Sequence, residues 1–132
     1  MTAVLLITHG RVGEAMLAMA VETLGKCPVA AKCLAVTADD DPSELLDQAR
    51  QMIADLGGDN VIVLTDLFGS TPSNIAARLV QDFNGLVMIA GLNIPMLIRL
   101  LNYADQEMPV LVEKAVDGGR DGIFIYEPES EV

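Results

Sequence analysis

The chain has 132 residues, of which 52% are hydrophobic, and its 19 acidic and 8 basic side chains give a net charge of −11. This length is typical of one domain, and a pI near 4.2 argues against nucleic acid or an anionic membrane as the main partner. No apolar run approaches the roughly 18 residues that a membrane-spanning helix needs, so we expect a soluble protein without direct membrane insertion.

The first half of the chain alternates between strand-sized apolar runs and helical stripes. Its predicted elements are a strand at Val4–Thr8, a helix at Gly13–Leu24, a weaker strand at Val29–Val36 and a helix from Pro42 to Leu56. The second helix has the clearest start signals, because Asp41 is a good N-cap and Pro42 suits the first helical position. The pair Gly57-Gly58 ends it.

The second half continues the alternation. Its predicted elements are a strand at Val61–Thr65, a helix at Pro72–Phe83, a strand at Leu86–Ala90, helices at Ile94–Tyr103 and about Pro109–Val116, and a last short strand at Gly122–Tyr126. We expect one domain over residues 1–126, followed by an acidic C-terminal tail at residues 127–132.

Strands that alternate with helices predict a single doubly wound α/β domain with a mostly parallel sheet. In the commonest small order of such sheets the first and third strands are neighbours, and we predict the order 2-1-3-4. Right-handed crossovers bring the carboxyl ends of the strands to one edge, where folds of this type place their sites. Residues just past a strand are therefore the candidates for a functional site.

His9 and Asp66 are the first candidates, because each lies at the end of one of the two neighbouring strands. The carboxylate would hold one ring N–H of the only histidine and leave the other nitrogen free as a nucleophile or general base. A lone surface or capping histidine is the alternative. A metal site is disfavoured, since His9 has no second histidine or thiolate at ligand spacing.

Two further loops leave the same edge. Gly69–Ser73 is typical of a helix N-terminus whose hydroxyls and free N–H groups suit an oxyanion or phosphoryl group, although an ordinary Thr71 cap followed by Pro72 explains it equally well. Gly91–Pro95 permits close approach to a ligand or simply starts the next helix.

Other functions of this fold lack their residues here. A response-regulator receiver needs acidic residues after the first strand, where this chain has Thr8-His9, and a flavodoxin needs aromatics to enclose its flavin. The P-loop pattern is absent as well. We therefore expect neither a metal nor a cofactor.

The candidate loops resemble the mannose-type enzyme IIA domains of the bacterial phosphoenolpyruvate-dependent sugar phosphotransferase system. The matching segments are Ile7–Gly10 with Gly13–Ala15, Thr65–Pro72 with Asn74, and Gly91–Leu97. The resemblance implies a protein-histidine phosphotransferase in which His9 takes a phosphoryl group from the phosphohistidine of HPr and passes it to an enzyme IIB for sugar uptake.

The resemblance also assigns roles around His9. Asp66 matches the carboxylate that orients the histidine, and Thr71 matches the active-site hydroxyl residue of the family. We predict that Nδ1–H of His9 bonds to Asp66, that Nε2 is the nucleophile, and that Ser70 and Ser73 help Thr71 to bind phosphate. The predicted supporting loop residues are Gly10, Phe68, Gly69, Pro72, Asn74, Gly91, Asn93 and Pro95. Phe68 and Ser70 depart from the Trp and Gly that many members carry.

The family fold further implies a homodimer whose subunits exchange a last antiparallel strand, for which Gly122–Tyr126 is the candidate. Three alternatives stay open: a regulatory switch in which phosphorylation of His9 controls a target protein, the IIA-like phosphocarrier of dihydroxyacetone kinase, and a non-catalytic binding module. The acidic run Asp39–Asp41 is either a solvated helix start or a surface that steers a basic partner.

The remaining features indicate the compartment. The chain starts without a signal-peptide pattern, and Cys27 and Cys33 do not have the spacing of a redox or zinc motif. We therefore expect a cytoplasmic protein whose thiols are reduced.

Overall fold

The structure is a computed structural model that describes residues 1–128. In chain order its elements are β1 (Ala3–His9), α1 (Val12–Leu24), β2 (Ala31–Val36), α2 (Pro42–Asp55), β3 (Val61–Thr65), α3 (Thr71–Asp82), β4 (Leu86–Ala90), α4 (Ile94–Asn102) and α5 (Met108–Asp121). The four strands form one parallel sheet in the order β2-β1-β3-β4, which confirms the predicted fold class and strand order.

The sheet lies between two helical layers because its central strands are apolar on both faces. Val4 and Leu6 of β1 pack in one core with α1, α4 and α5, while Leu5 and Ile7 pack in the other with α2 and α3. All four side chains are at most 1% exposed. Burying each such side chain stabilises the fold by about 1.5–3 kcal/mol, so continuous apolar runs secure the two central strands.

The register of the strands brings the candidate site residues to one edge. Ile7 of β1 pairs with Thr65 of β3, and His9 pairs with Val36 of β2. His9 is therefore the last residue of β1, and Asp66 is the first residue past β3. Both lie at the carboxyl edge of the sheet, as the predicted order requires.

The helix ends agree with the predictions to within one residue except at the end of α5, and β2 begins two residues later than predicted, at Ala31. α3 begins at Thr71 with Ser70 as its N-cap, so Pro72 is the second helical residue. α5 extends to Asp121 and passes through Gly118 and Gly119, where the sequence predicts an end near Val116. The physical reason is close helix packing.

The glycines of α5 are required by its contact with α4. A Cβ on Gly118 would overlap the Cβ of Arg99, and a Cβ on Gly119 would lie 3.0 Å from Met96 Cε. The side chain of Asn93 also donates to the Gly119 carbonyl at 3.0 Å. Tertiary packing thus offsets the low helix propensity of the two glycines.

The segment after α5 forms no strand within the described part of the single chain. Ile123–Tyr126 is 68–86% exposed although all four residues are large and apolar. An exchanged strand needs a second subunit, so the predicted strand and dimer stay predictions. Of the predicted acidic tail, residues 129–132 lie outside the described residues.

Candidate active site

His9 and Asp66 form the centre of the candidate site. Asp66 Oδ2 accepts from the backbone N–H of His9 at 3.2 Å and lies 2.9 Å from His9 Nδ1. A carboxylate only accepts hydrogen bonds, so Nδ1 carries the ring proton and the lone pair is on Nε2. The His9 side chain is 50% exposed and that of Asp66 only 17%. The histidine is therefore held through Nδ1, and half of its side chain is open to solvent.

The loop from β1 to α1 is anchored on both sides of His9. Gly10, at φ +50°, donates its N–H to the Val36 carbonyl at 2.8 Å. Thr8 Oγ1 accepts from the Gly13 N–H at 2.8 Å, and a Cβ on Gly13 would lie 2.9 Å from this oxygen. Only glycine lets α1 approach the strand this closely. The contact between Thr8 and Gly13 was not predicted from the sequence. A glycine at the start of a helix that follows a strand is a signal that could have indicated such close packing.

The loop from β3 to α3 is organised by the Ser73 hydroxyl. Ser73 Oγ accepts from the N–H groups of Gly69 at 2.8 Å and Ser70 at 3.0 Å, and donates to the Ser70 carbonyl at 3.0 Å. Ser70 Oγ donates to the Leu67 carbonyl at 2.5 Å. Ser73 is only 2% exposed. The hydroxyls of both predicted phosphate-binding serines therefore bond within their own loop.

Of the three predicted phosphate-binding residues, Thr71 is the one that is exposed and shares a cleft with His9. This cleft, called the His9 cleft below, has a volume of about 320 Å³ and is lined by His9, Val36, Thr37, Asp40, Pro42 and Thr71. At the start of α3 the Thr71 N–H has no acceptor within the helix, whereas Pro72 has no N–H and the Ser73 N–H is capped by the Ser70 side chain. The cleft therefore combines a nucleophile, a hydroxyl and a helix N-terminus.

The wall of the His9 cleft opposite α3 is the loop from β2 to α2. Asp40 Oδ2 accepts from the Thr37 N–H at 2.8 Å and from Thr37 Oγ1 at 3.0 Å, which closes this loop. Asp41 caps α2 as predicted, accepting from the Ser43 N–H at 3.0 Å. In the sequence Asp40 is one residue of an acidic run, and no pattern distinguishes it from its neighbours. Only the structure shows that Asp40 lines the cleft.

The other predicted loop residues lie around the cleft or apart from it. Phe68 is 74% exposed and lies two residues past Asp66 in the chain. Gly91 and Asn93 instead line a separate cavity of about 190 Å³ next to β4. Asn93 caps α4 by accepting from the Met96 N–H at 2.9 Å. The structure therefore brings the first two candidate loops together and leaves the third beside them.

Three observations describe the rest of the chain. Within residues 1–128, no three His, Cys, Asp or Glu side chains are grouped so that they could hold a metal ion. No helix in that range is both long and apolar enough to cross a membrane. Cys27 and Cys33 are free thiols, and burial, with a smaller contribution from the Glu14 charge, raises the pKa of Cys33 to about 11.

Known proteins share this sequence pattern. A family model described as "PTS system fructose IIA component" matches residues 3–116. The mannose-specific EIIAB component of Escherichia coli strain K12 is 32% identical over 124 residues, which cover 92% of this chain and 38% of that protein. The fructose-specific EIIA component of Bacillus subtilis strain 168 is 34% identical over 59 residues, or 44% of this chain and 40% of that protein. The chain thus spans well under half the length of the Escherichia coli relative.

Solved structures share the fold over nearly the whole chain. The mannose/sorbose specific IIA subunit from Enterococcus faecalis superposes with a TM-score of 0.88 at 25% identity, covering 99% of this chain and 98% of that one. The EIIA component from Streptococcus agalactiae has a TM-score of 0.84 at 21% identity, covering 95% and 97% of the two chains, and shows the fold alone.

Proposed function

The chain belongs to the mannose-type enzyme IIA (EIIA-man) family of the sugar phosphotransferase system, and on this premise we propose that His9 carries the phosphoryl group that it transfers. The donor is the phosphohistidine of HPr, and the acceptor is an enzyme IIB. The observation that carries the proposal is the 2.9 Å contact between His9 Nδ1 and Asp66 Oδ2, which leaves the Nε2 lone pair free on a half-exposed side chain.

The transfer step needs orientation and charge stabilisation rather than proton transfer. The Nε2 lone pair attacks phosphorus, the new P–N bond forms as the P–N bond of the donor breaks, and that electron pair returns to the donor nitrogen. No proton moves between the two nitrogens in this step. Because Nδ1 keeps its proton, the His9 ring becomes positively charged, and the Asp66 carboxylate stabilises that charge.

The phosphoryl oxygens bind at the N-terminus of α3 in this proposal. Thr71 provides an exposed hydroxyl in the His9 cleft and its own backbone N–H as a second donor. Pro72 has no N–H, and the Ser73 N–H is capped by the Ser70 side chain. The positive end of the helix dipole favours an anion at this place. Ser73 supports the site from below by bonding to the loop that leads into the helix.

The second part of the proposal is a homodimer. β4 is an edge strand of the sheet, and the exposed apolar segment Ile123–Tyr126 follows α5 directly. An exposed apolar segment and an unpaired edge both favour association with a second chain. Sedimentation equilibrium should give twice the mass of the chain, and a variant that ends at residue 121 should sediment as a monomer. A full-length monomer would contradict this part.

Phosphoryl transfer is tested directly in a mixture of phosphoenolpyruvate, enzyme I and HPr. We expect the wild-type chain to acquire one acid-labile phosphoryl group and the His9→Ala variant to acquire none. An Asp55→Asn variant, altered on the exposed surface of α2, is the matched control and should be labelled like the wild type. Label on His9→Ala, or an unlabelled wild type, would contradict the proposal.

The acceptor is tested in a second step. The phosphorylated chain, separated from HPr, is mixed with purified mannose-type enzyme IIB, and the proposal expects the label to move to IIB. Label that stays on His9 in the presence of IIB would contradict a transport role and favour the regulatory switch. Movement of the label to a dihydroxyacetone kinase subunit would favour that alternative instead.

A further inference from the structure

Arg11 is the charged residue nearest to His9 along the chain, and nothing described above uses it. It lies between Gly10 and the first residue of α1, and its side chain is 85% exposed. Within the described part of the chain, its guanidinium makes one hydrogen bond, from Nε to Glu14 Oε2 at 2.9 Å. Surface pairs of this kind contribute little to stability, so the contact can be exchanged at small cost.

Arg11 lies within reach of the His9 ring. Two residues of fully extended chain span at most about 7 Å, and an extended arginine side chain covers a similar distance. Gly10 is in the left-handed region at φ +50°, so the chain turns between the two residues and is not extended there. The Arg11 side chain is therefore long enough to span the distance to the His9 ring.

A phosphoryl group on His9 brings negative charge to the His9 cleft, where a cation would stabilise it. By analogy with other protein phosphates, the phosphoryl group itself carries about −1.5 to −2 at neutral pH, and the positive charge of the ring, which is paired with Asp66, offsets only part of it. The charged side chains already at the cleft are the acidic groups Asp66 and Asp40, so the new charge would be repelled. The N-terminus of α3 compensates only part of this charge, because a helix end acts as roughly half of one positive charge.

The other cations are paired or lie away from the His9 loop. Arg78, which lines a neighbouring cavity with Thr71, is paired with Asp82 at 3.3 Å. Five of the other seven lysines and arginines contact an acidic or aromatic side chain elsewhere, as Arg50 does with Asp82 at 2.7 Å. Lys26 follows the opposite end of α1, and Arg120 lines the separate cavity next to β4. Arg11 is thus the available cation on the loop that carries the histidine.

We propose that Arg11 binds the phosphoryl group of phosphorylated His9, leaving Glu14 to do so. This inference rests on the proposed phosphorylation of His9. The guanidinium offers a planar pair of N–H donors that matches two phosphoryl oxygens, which an ammonium does not. In the unphosphorylated chain the Arg11 guanidinium is bound to Glu14. Because this contact must break before Arg11 binds the phosphoryl group, Glu14 weakens that binding.

The test phosphorylates the chain chemically with phosphoramidate, so that no partner protein is needed. His9 is the only histidine, and phosphorus NMR therefore reports one phosphohistidine. A bound cation favours the dianion and lowers the pKa of the phosphoryl group. In Arg11→Ala we expect its acid dissociation constant to fall by about threefold to tenfold, in the range of an exposed charge-assisted contact. Arg11→Lys should restore part of the loss.

Two further variants separate a contact from a general charge effect. Lys26→Ala removes the same charge far from His9 and should leave the phosphoryl pKa unchanged. Glu14→Gln should lower that pKa in the wild-type background and do so less in the Arg11→Ala background, because its effect acts through Arg11. An unchanged pKa in Arg11→Ala, or an equal shift in Lys26→Ala, would overturn the inference.

Failure of the Arg11 contact and failure of the proposed function give different results. If HPr does not label His9 but Arg11→Ala shifts the pKa of the chemically formed phosphohistidine, the proposed function is wrong and the contact stands. If HPr labels His9 and Arg11→Ala has no effect on the phosphoryl pKa, the function stands and the contact is wrong.

Discussion

The loop from β1 to α1 and the loop from β3 to α3 meet at the candidate site but use their side chains differently. The first exposes its two functional groups, since His9 is half-exposed and Arg11 almost fully so. The second directs its serine hydroxyls inward, with Ser73 buried and bonded three times to its own loop. In the proposed function, the group that meets a partner protein is on the exposed loop, and the carboxylate that holds it is on the buried one.

Asp66 links the two loops. One of its oxygens accepts from both the backbone and the ring of His9, while the other is buried and has no partner among the described residues. All of its hydrogen bonding is therefore directed at the first loop. A fixed acceptor of this kind orients the histidine before a partner arrives, which is how preorganised sites lower barriers.

The largest expected effect comes from breaking this link with Asp66→Asn. An amide can donate to Nδ1, which favours the tautomer that has its proton on Nε2 and no lone pair there. We expect HPr-dependent labelling of His9 to slow by about 100-fold or more, on the scale of other tautomer-orienting carboxylates. Rapid-quench labelling measures the rate, and Asp55→Asn is the matched control. An unchanged rate with an intact fold would show that Asp66 does not orient His9.

The anchoring of the first loop is tested by Gly13→Ala. Alanine favours the helix by up to about 1 kcal/mol, but its Cβ would lie 2.9 Å from Thr8 Oγ1 and 3.0 Å from Thr8 Cγ2. We expect overpacking to dominate and the free energy of unfolding in urea to fall by about 1–2 kcal/mol. Thr8→Ser removes the methyl, so the double variant should regain part of the loss. A Gly13→Ala variant more stable than the wild type would contradict the close contact.

The anchoring of the second loop is tested by Ser73→Ala. The change leaves the N–H groups of Gly69 and Ser70 without their acceptor in a largely buried place, and we expect a loss of about 1 kcal/mol in unfolding free energy. Ser43→Ala, at the exposed start of α2, should cost less than about 0.5 kcal/mol. Equal losses in urea unfolding would show that Ser73 is no more important than an ordinary surface serine.

The smallest expected effect is electrostatic and concerns Cys33. The pKa of this thiol responds to the charge of Glu14, which lies next to the first loop. The pKa of this thiol is raised from 9.0 to about 11, first by burial and then by Glu14. The unfolded chain therefore loses the thiol proton before the folded chain does. Stability is unaffected below pH 9 and falls as the pH rises from 9 towards 11.

Titration of the thiolate ultraviolet absorbance checks this expectation. Glu14→Gln should lower the pKa of Cys33, and Ser73→Ala in the other loop should not change it. The Cys33→Ala variant should lose this part of the alkaline destabilisation. A Cys33 pKa that does not respond to Glu14→Gln would show that the two groups are electrostatically independent.

The fold and the centre of the site were largely predictable from short-range patterns. Continuous apolar runs predicted β1 and β3, since a strand covered on both faces needs such runs. The rule that places sites at the carboxyl ends of parallel strands then brought His9 and Asp66 to one edge. The predicted family resemblance is confirmed by the family model, which matches residues 3–116.

Other features were not predictable because they depend on how the folded chain packs and bonds. The glycines at 118 and 119 indicate a helix end by propensity, yet α5 continues because α4 packs against them. The hydroxyls of Ser70 and Ser73 are typical of an exposed helix start, yet they bond within their own loop. The first outcome depends on a neighbouring helix, and the second on the conformation of the loop itself.

By itself, the sequence determined the order of the elements, the two-sided burial of the central strands and the residues that reach the carboxyl edge, because these follow from apolar periodicity and chain connectivity. The tertiary structure alone decided which hydroxyl faces the cleft and that Asp40 lines it beside His9. These depend on distances of a few ångströms between side chains, which packing sets and no local pattern encodes.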